Sequence, residues 1–321
     1  MKKILLSTLL IVAFCAALMG GGFAGQDVEA TKAAEGENYK FGLTIQTLDN
    51  NHWTRLIGGV ESAMREGDEL VVLNAEYDTS KQITQLEDLI AQECDVIFFV
   101  AVDGAAIKPG LVACNEAGIP VIGIDIEADT REQTTTVVVT DNLQAGEVMG
   151  EAFLETTGGE AKVGLLGFTA VPPARLREEG FRSIVEGVEG VEIVTYQEAF
   201  PNTEDAIPVL ENMLQAQPEI TDFVCINDLQ ALGAVQVCKA QDRADIRIYG
   251  VDGNPDAVNC IVSGTMTGTS AQFPAEEGST AVEMAYKFLA GESVDEAYLV
   301  PCEWINSTNG EEYIASLGLD G

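Results

Sequence analysis

Histidine is almost missing from this chain: His52 is the only one in 321 residues. A Ser-His-Asp site would have to be built around it, and no G-x-S-x-G turn is present to seat the serine. Phosphate-cradling patterns are missing as well. There is no P-loop, and no G-x-G-x-x-G follows a strand-like run; Gly158-Gly159 and Gly164…Gly167 lack the spacing. Basic charge is scarce, with 17 Lys and Arg against 52 Asp and Glu, a formal net charge of −35. That excess argues against nucleic acid and anionic membrane surfaces as partners, and otherwise serves solubility. No CxxC pair occurs and the cysteine spacings match no zinc site, so neither a metal nor a cofactor is expected. Beyond residue 30 no apolar run is long enough to span a bilayer. Paired carboxylates for glycoside hydrolysis are the one catalytic arrangement left open.

What is present begins with a targeting pattern. Residues 1–25 run from Met1-Lys2-Lys3 through an apolar stretch, Ile4 to Met19, to a small-residue end. A secretory signal reads this way, with cleavage after Ala24 or Ala30; an uncleaved anchor or a lipid on Cys15 are the alternatives. A polar linker, 26–37, follows. Six cysteines remain beyond it, at 94, 114, 225, 238, 260 and 302. Export permits disulfides and Cys94 could meet Cys114, but each cysteine also reads as a small buried hydrophobe, and the pairing stays open.

The chain then alternates strand-like and helix-like stretches. Thr221–Val258 shows the grammar best. Phe223–Ile226 and Ile246–Val251 are apolar runs, each ending in a polar tip and a helix-start signal. The tips are Asn227-Asp228 and Asp252-Gly253-Asn254-Pro255; Asn254 can cap a helix, and Pro255 suits its first position. Two buried parallel strands joined by a crossover helix read this way, and their carboxyl ends are where open α/β sheets bind ligands. The same alternation runs from Tyr39 to Val139 and restarts at Ala161, ending in a strand near Ala297–Trp304 and a short tail helix. The fold expected is α/β: two similar doubly wound parallel-sheet lobes.

The polar tips recur in both halves: Asp49 and Asn50, Asp125, Asn227, Asp252 and Gln272, with Arg175 at a helix start. Carboxylates, carboxamides and one guanidinium suit a neutral polyhydroxylated ligand, whose hydroxyls both donate and accept. Trp53, Phe168, Phe200 and Phe273 offer faces for a sugar ring. A tip residue can equally be a helix cap, the reading given to Asp228, Asp141, Asn142 and Asn254. His52 and Trp53 are either site residues or helix-start packing.

These residues carry a family resemblance. Thr47-Leu48-Asp49-Asn50-Asn51-His52-Trp53, Ile119-Pro120-Val121-Ile122-Gly123-Ile124-Asp125 and Thr140-Asp141-Asn142 come first. Ala174-Arg175-Leu176-Arg177-Glu178-Glu179-Gly180-Phe181, Asn227-Asp228, Gly250-Val251-Asp252-Gly253 and Ala271-Gln272-Phe273-Pro274 follow. In this order they resemble the ribose- and galactose-type periplasmic sugar-binding proteins of ABC importers, which have the type I periplasmic binding protein fold. The resemblance implies a three-strand hinge with crossings near Thr140, Gln272 and Glu303. It divides the chain into an amino-terminal lobe, 38–140 plus 273–302, and a carboxyl-terminal lobe, 141–272 plus 303–321. It assigns sugar hydrogen bonds to Asn50, Asp125, Arg175, Asn227, Asp252 and Gln272. His52 belongs to the same expected site, with Trp53 and Phe273 packed on the ring. Ribose-type members have arginine where this chain has Ile126, asparagine at Val100, and aromatic residues at His52 and Val251. Those departures argue against ribose itself and leave a polyol, a deoxysugar, another pentose or a hexose.

The expectation is an exported, monomeric solute receptor without catalysis, in the periplasm or on the outer face of the cell membrane, docking on an ABC permease. The alternatives are the same fold binding a nucleoside or signalling molecule, or presenting its ligand to a membrane sensor. A repressor-type regulator would need a basic amino-terminal helix-turn-helix, where this chain has its leader-like segment. An exported glycosidase is the enzymatic alternative.

Overall fold

The computed structural model describes residues 38–49 and 51–317. The expected leader, the linker and Asn50 lie outside the described residues. The first half contains β1 (Lys40–Ile45), α1 (Asn51–Ala63), β2 (Glu69–Asn74), α2 (Thr79–Ala91), β3 (Val96–Phe99), α3 (Lys108–Glu116), β4 (Val121–Ile124) and β5 (Thr136–Thr140). The second contains α4 (Asn142–Thr157), β6 (Ala161–Gly167), α5 (Pro172–Val185), β7 (Val191–Glu198), α6 (Thr203–Ala216), β8 (Asp222–Cys225), α7 (Asp228–Ala240), β9 (Arg247–Asp252), α8 (Pro255–Val262) and β10 (Gly268–Ala271). The chain ends with α9 (Pro274–Leu289), β11 (Ala297–Val300), β12 (Glu303–Asn306) and α10 (Gly310–Ser316).

The strands form two six-stranded sheets, ordered β11-β5-β4-β3-β1-β2 and β12-β10-β9-β8-β6-β7. All pairings are parallel except β10 with β12. The central strands are buried on both faces, as in β3 (Val-Ile-Phe-Phe) and β8 (Asp-Phe-Val-Cys), which is why they read as unbroken apolar runs. The edge strands β2 and β7 are only half-buried. Apolar clusters fill both faces of each sheet: Leu43, Val60 and Val282 lie in one, and Phe99 and Leu111 in another. In the second sheet the corresponding clusters include Phe223 with Val258, and Phe153 with Phe181. The order reverses between β1 and β3 in one sheet and between β6 and β8 in the other. Each sheet thus has a switch point where carboxyl-end loops diverge and leave a crevice.

The backbone passes between the sheets three times: after β5 at Thr140, after β10 at Gln272, and between β11 and β12. The sequence suggests a single strand near Ala297–Trp304, but two short ones form. Pro301 has no N–H for a ladder, and the halves on either side pair with different sheets. Close helix packing locks each lobe. On α1, a Cβ at Gly59 would overlap the Ala275 carbonyl at the start of α9. The six cysteines of the described residues are free thiols. Cys94 and Cys114 sit unbonded in one apolar cluster, where burial pushes their thiols up to about 11 and about 12. Among the described residues no helix is long and apolar enough to cross a membrane.

Candidate functional site

The carboxyl ends of the two sheets face one another across a cleft of about 870 Å³. One wall comes from the β1–α1 and β4 ends: Thr47, Asp49, His52, Trp53, Asp125 and Ile126. The other comes from α4, α5, the β9 end and the second crossing: Asn142, Arg177, Asp252 and Gln272. Arg55, Tyr77, Leu229 and Asp256 line its periphery.

The first wall is set by the start of α1. Trp53 is buried because it shares a helix face with Leu56 and Val60, at i+3 and i+7. Its ring meets His52 edge-on, with centroids 4.6 Å apart, and its indole Nε1 is buried without a partner. His52 reaches across to Asp125, Nε2 to Oδ2 2.5 Å. Asp125 follows β4 in a left-handed conformation (φ 59°), its N–H donating to the Val138 carbonyl at 2.9 Å. A non-glycine residue there carries about 1–2 kcal/mol of strain. This backbone conformation turns the carboxylate out of the strand line into the cleft.

Arg177 organises the second wall. Its guanidinium is buried, and its Nη1 donates to Asp252 Oδ1 (2.8 Å) and the Ile226 carbonyl (3.2 Å). Nε donates to Asn142 Oδ1 at 2.8 Å. α5 comes this close to α4 because Gly146 has no side chain; a Cβ there would overlap the Arg177 carbonyl. Asp252 also departs from ordinary backbone geometry, at φ 133°, with Gly253 at 69° behind it. Gln272 Nε2 donates to the same Asp252 oxygen at 2.7 Å, and Gln272 Oε1 accepts from the Thr140 hydroxyl at 2.8 Å. The two crossings are thereby tied to each other and to the cleft.

Two carboxyls lie behind the walls. Glu277, on α9, is fully buried against Thr140 Oγ1. Burial first, and then the nearby Asp125 carboxylate, push its pKa well above the usual carboxylate range. Thr140 has one hydroxyl hydrogen, which serves Gln272; the proton retained by Glu277 then serves the Glu277–Thr140 contact. Asp228 is equally buried and raised, by desolvation and then by Asp252. It accepts from the Asn254 N–H (2.7 Å) and the Thr269 hydroxyl (2.7 Å), and so holds the loop that carries Asp252.

The structure brings His52, Trp53, Asp125, Asp252 and Gln272 together in the cleft. Three other expected site residues stand outside its lining. Arg175 is half-exposed on the outer face of α5 and pairs with Glu179 at 3.6 Å. Asn227 caps α7: its side chain accepts from the Gln230 N–H and donates to the Pro201 carbonyl. Phe273 turns behind the hinge toward Tyr313 and a smaller hollow of about 390 Å³. Phe168 and Phe200 pack on each other, also outside the cleft lining. Asn50 falls outside the described residues. Asn142, read from sequence as a cap or turn former, takes the Arg177 bond, while Asp141 beside it does the capping. Helical spacing could have found Arg177. Counting back four from the core residue Phe181 lands on it and puts Arg175 on the opposite face.

Comparison with known proteins agrees with the two-lobe α/β fold. A family model for a periplasmic binding protein domain matches residues 41–293. The ribose import binding protein of Bacillus subtilis is 32% identical over 267 residues, covering 83% of this chain and 86% of that protein. An ABC transporter solute binding protein of Bacillus halodurans, solved with bound myo-inositol, superposes with a TM-score of 0.75 at 27% identity. The match covers 88% of this chain and 99% of that one. A periplasmic solute binding protein of Actinobacillus succinogenes, solved with bound D-allose, gives a TM-score of 0.76 at 26% identity, over 86% and 100% of the two chains.

Proposed function

Because the chain belongs to the periplasmic binding protein domain family, we propose that it is the extracytoplasmic solute receptor of an ABC-type sugar importer. It holds a monosaccharide or polyol between its lobes. The relatives named above are a ribose import protein and solute binding proteins carrying myo-inositol and D-allose, all polyhydroxylated molecules. The observation that carries the reading is the cleft itself. Acceptors (Asp125, Asp252), a buried donor (Arg177) and a group that does both (Gln272) converge from two sheets beside an indole face. A polyol offers hydroxyls that match each of them, and a C–H face for Trp53.

In this reading Arg177 takes the donor role that Arg175 was expected to fill. Asn227 serves as the cap of α7. Ile126 lines the wall where an arginine would add donors, which favours a ligand with an apolar edge there over ribose. The lobes hinge on the three crossings and close on the ligand, which is released unchanged to the permease.

A thermal-shift screen of the chain against pentoses, hexoses, deoxysugars, polyols and nucleosides tests this. A micromolar ligand at millimolar concentration adds roughly 4 kcal/mol to the folded state. A large rise with one sugar or polyol is the expected result. A nucleoside as the sole hit, or no rise across the panel, refutes the sugar reading.

A further inference from the structure

One cluster in the cleft is not accounted for by hydrogen bonding to a neutral ligand. His52, Asp125 and Glu277 come from three separate elements, the start of α1, the end of β4 and the first turn of α9. Each offers one ligand atom, and these atoms all lie within 4.8 Å of one another. Glu277 is fully buried, and its Oε2 has no hydrogen-bond partner, although Oε1 is engaged with Thr140. Asp125 is turned toward the cluster by its left-handed backbone. Its Oδ2 meets the imidazole Nε2 of the chain's sole histidine. Two carboxyl groups and an imidazole converge at the margin of a protein core; the proton on Glu277 and the nearby Arg177 guanidinium are what offset their charge without an ion.

We propose that His52, Asp125 and Glu277 form a three-ligand site for a divalent transition-metal ion, with its remaining coordination position open to the cleft. One imidazole nitrogen with two carboxylate oxygens is an intermediate donor set. It suits zinc or a neighbouring first-row ion better than calcium or magnesium, which prefer more oxygen ligands. The cation displaces the hydrogen held between His52 and Asp125 and the proton on Glu277, so binding releases protons to solvent. All three ligands belong to one lobe, so the ion can bind before the lobes close. His52 and Asp125 also line the cleft, which leaves the open position facing the ligand space. If the sugar-receptor reading holds, a ligand hydroxyl completes the coordination, and the ion adds the polarising charge that Ile126 does not.

The test is a calorimetric titration of zinc chloride into untagged, chelator-treated full chain, without any sugar. One zinc ion per chain at micromolar affinity or better is expected. Both H52Q and E277Q should weaken it at least tenfold. H52Q sits at the cleft surface and keeps the assay meaningful if E277Q folds poorly. Zinc heats that are undetectable, or unchanged in H52Q, overturn the proposal: the first means no site, the second binding to surface acids. Loss in H52Q with full retention in a folded E277Q also overturns it, since Glu277 is then no ligand. Because no sugar is present, a negative result removes the metal site and leaves the sugar reading untouched. A second titration, of a sugar from the screen into cobalt-loaded protein, reads the open position. The cobalt visible bands should shift on sugar binding, and unshifted bands despite binding refute coordination of the ligand.

Discussion

Replacing Arg177 with alanine should cost far more than the same change at Arg175, two residues away on the same helix. Arg177 donates three hydrogen bonds, to Asp252 Oδ1, Asn142 Oδ1 and the Ile226 carbonyl, from a guanidinium that is almost fully buried. Removing one member of a buried ion pair costs about 3–5 kcal/mol, because the partner is left desolvated. The Asp252 side chain keeps 27% exposure and its bond from Gln272, so the lower end applies, about 3 kcal/mol. Arg175 has a half-exposed side chain and one i,i+4 partner at 3.6 Å. Its loss is worth about 0.3–0.5 kcal/mol. Urea unfolding of the two variants reads the difference as a shift in midpoint at constant slope. For the sugar or polyol found by screening, titration should show Arg177→Ala binding about tenfold to a hundredfold more weakly, the range for a charged hydrogen bond. Arg175→Ala should leave affinity unchanged. Equal destabilisation by both changes, or a loss of affinity confined to Arg175→Ala, would refute the placement of the guanidiniums.

The remaining predictions concern buried charge and helix packing. The raised pKa of Asp228 means that the folded state holds a proton the unfolded state has already lost. Its stabilising contribution is complete below the ordinary carboxylate range and is lost as pH rises through the folded value. Asp228→Asn should therefore flatten the decline of the urea midpoint above that range, and a slope unchanged from the parent would contradict it. Gly58 and Gly59 are neighbours on α1 with opposite surroundings: nothing lies within 4 Å of a Cβ at Gly58, whereas one at Gly59 meets the Ala275 backbone. Gly58→Ala should stabilise by about 0.5–1 kcal/mol through helix propensity. Gly59→Ala should destabilise by at least about 1–3 kcal/mol by forcing α1 from α9. Matching signs in thermal melts would show the packing of α1 on α9 to be misread.

The alternation of apolar runs and helical spacings was legible in the sequence, because strands buried on both faces and amphipathic helices impose periods that neighbours cannot hide. So were the strand tips Asp125, Asp252 and Gln272, since a polar residue ending an apolar run must lie at a sheet's carboxyl edge. The sequence could not say which way a helical side chain near a tip points when several candidates crowd together. Arg175 and Arg177 differ by about 200° around α5, and the choice was made by Phe181 in the core and by Gly146 admitting α4. Asn227 and Asn142 show the same limit. Both can cap, and only the neighbouring donors, Gln230 for one and Arg177 for the other, separate cap from cleft. The cluster of His52, Asp125 and Glu277 had no local signature at all. Its members are far apart in the chain and meet only because two crossings return α9 to the first sheet. Local periodicity determined the elements and their edges; the packing of one element on another decided which side chains face the cleft.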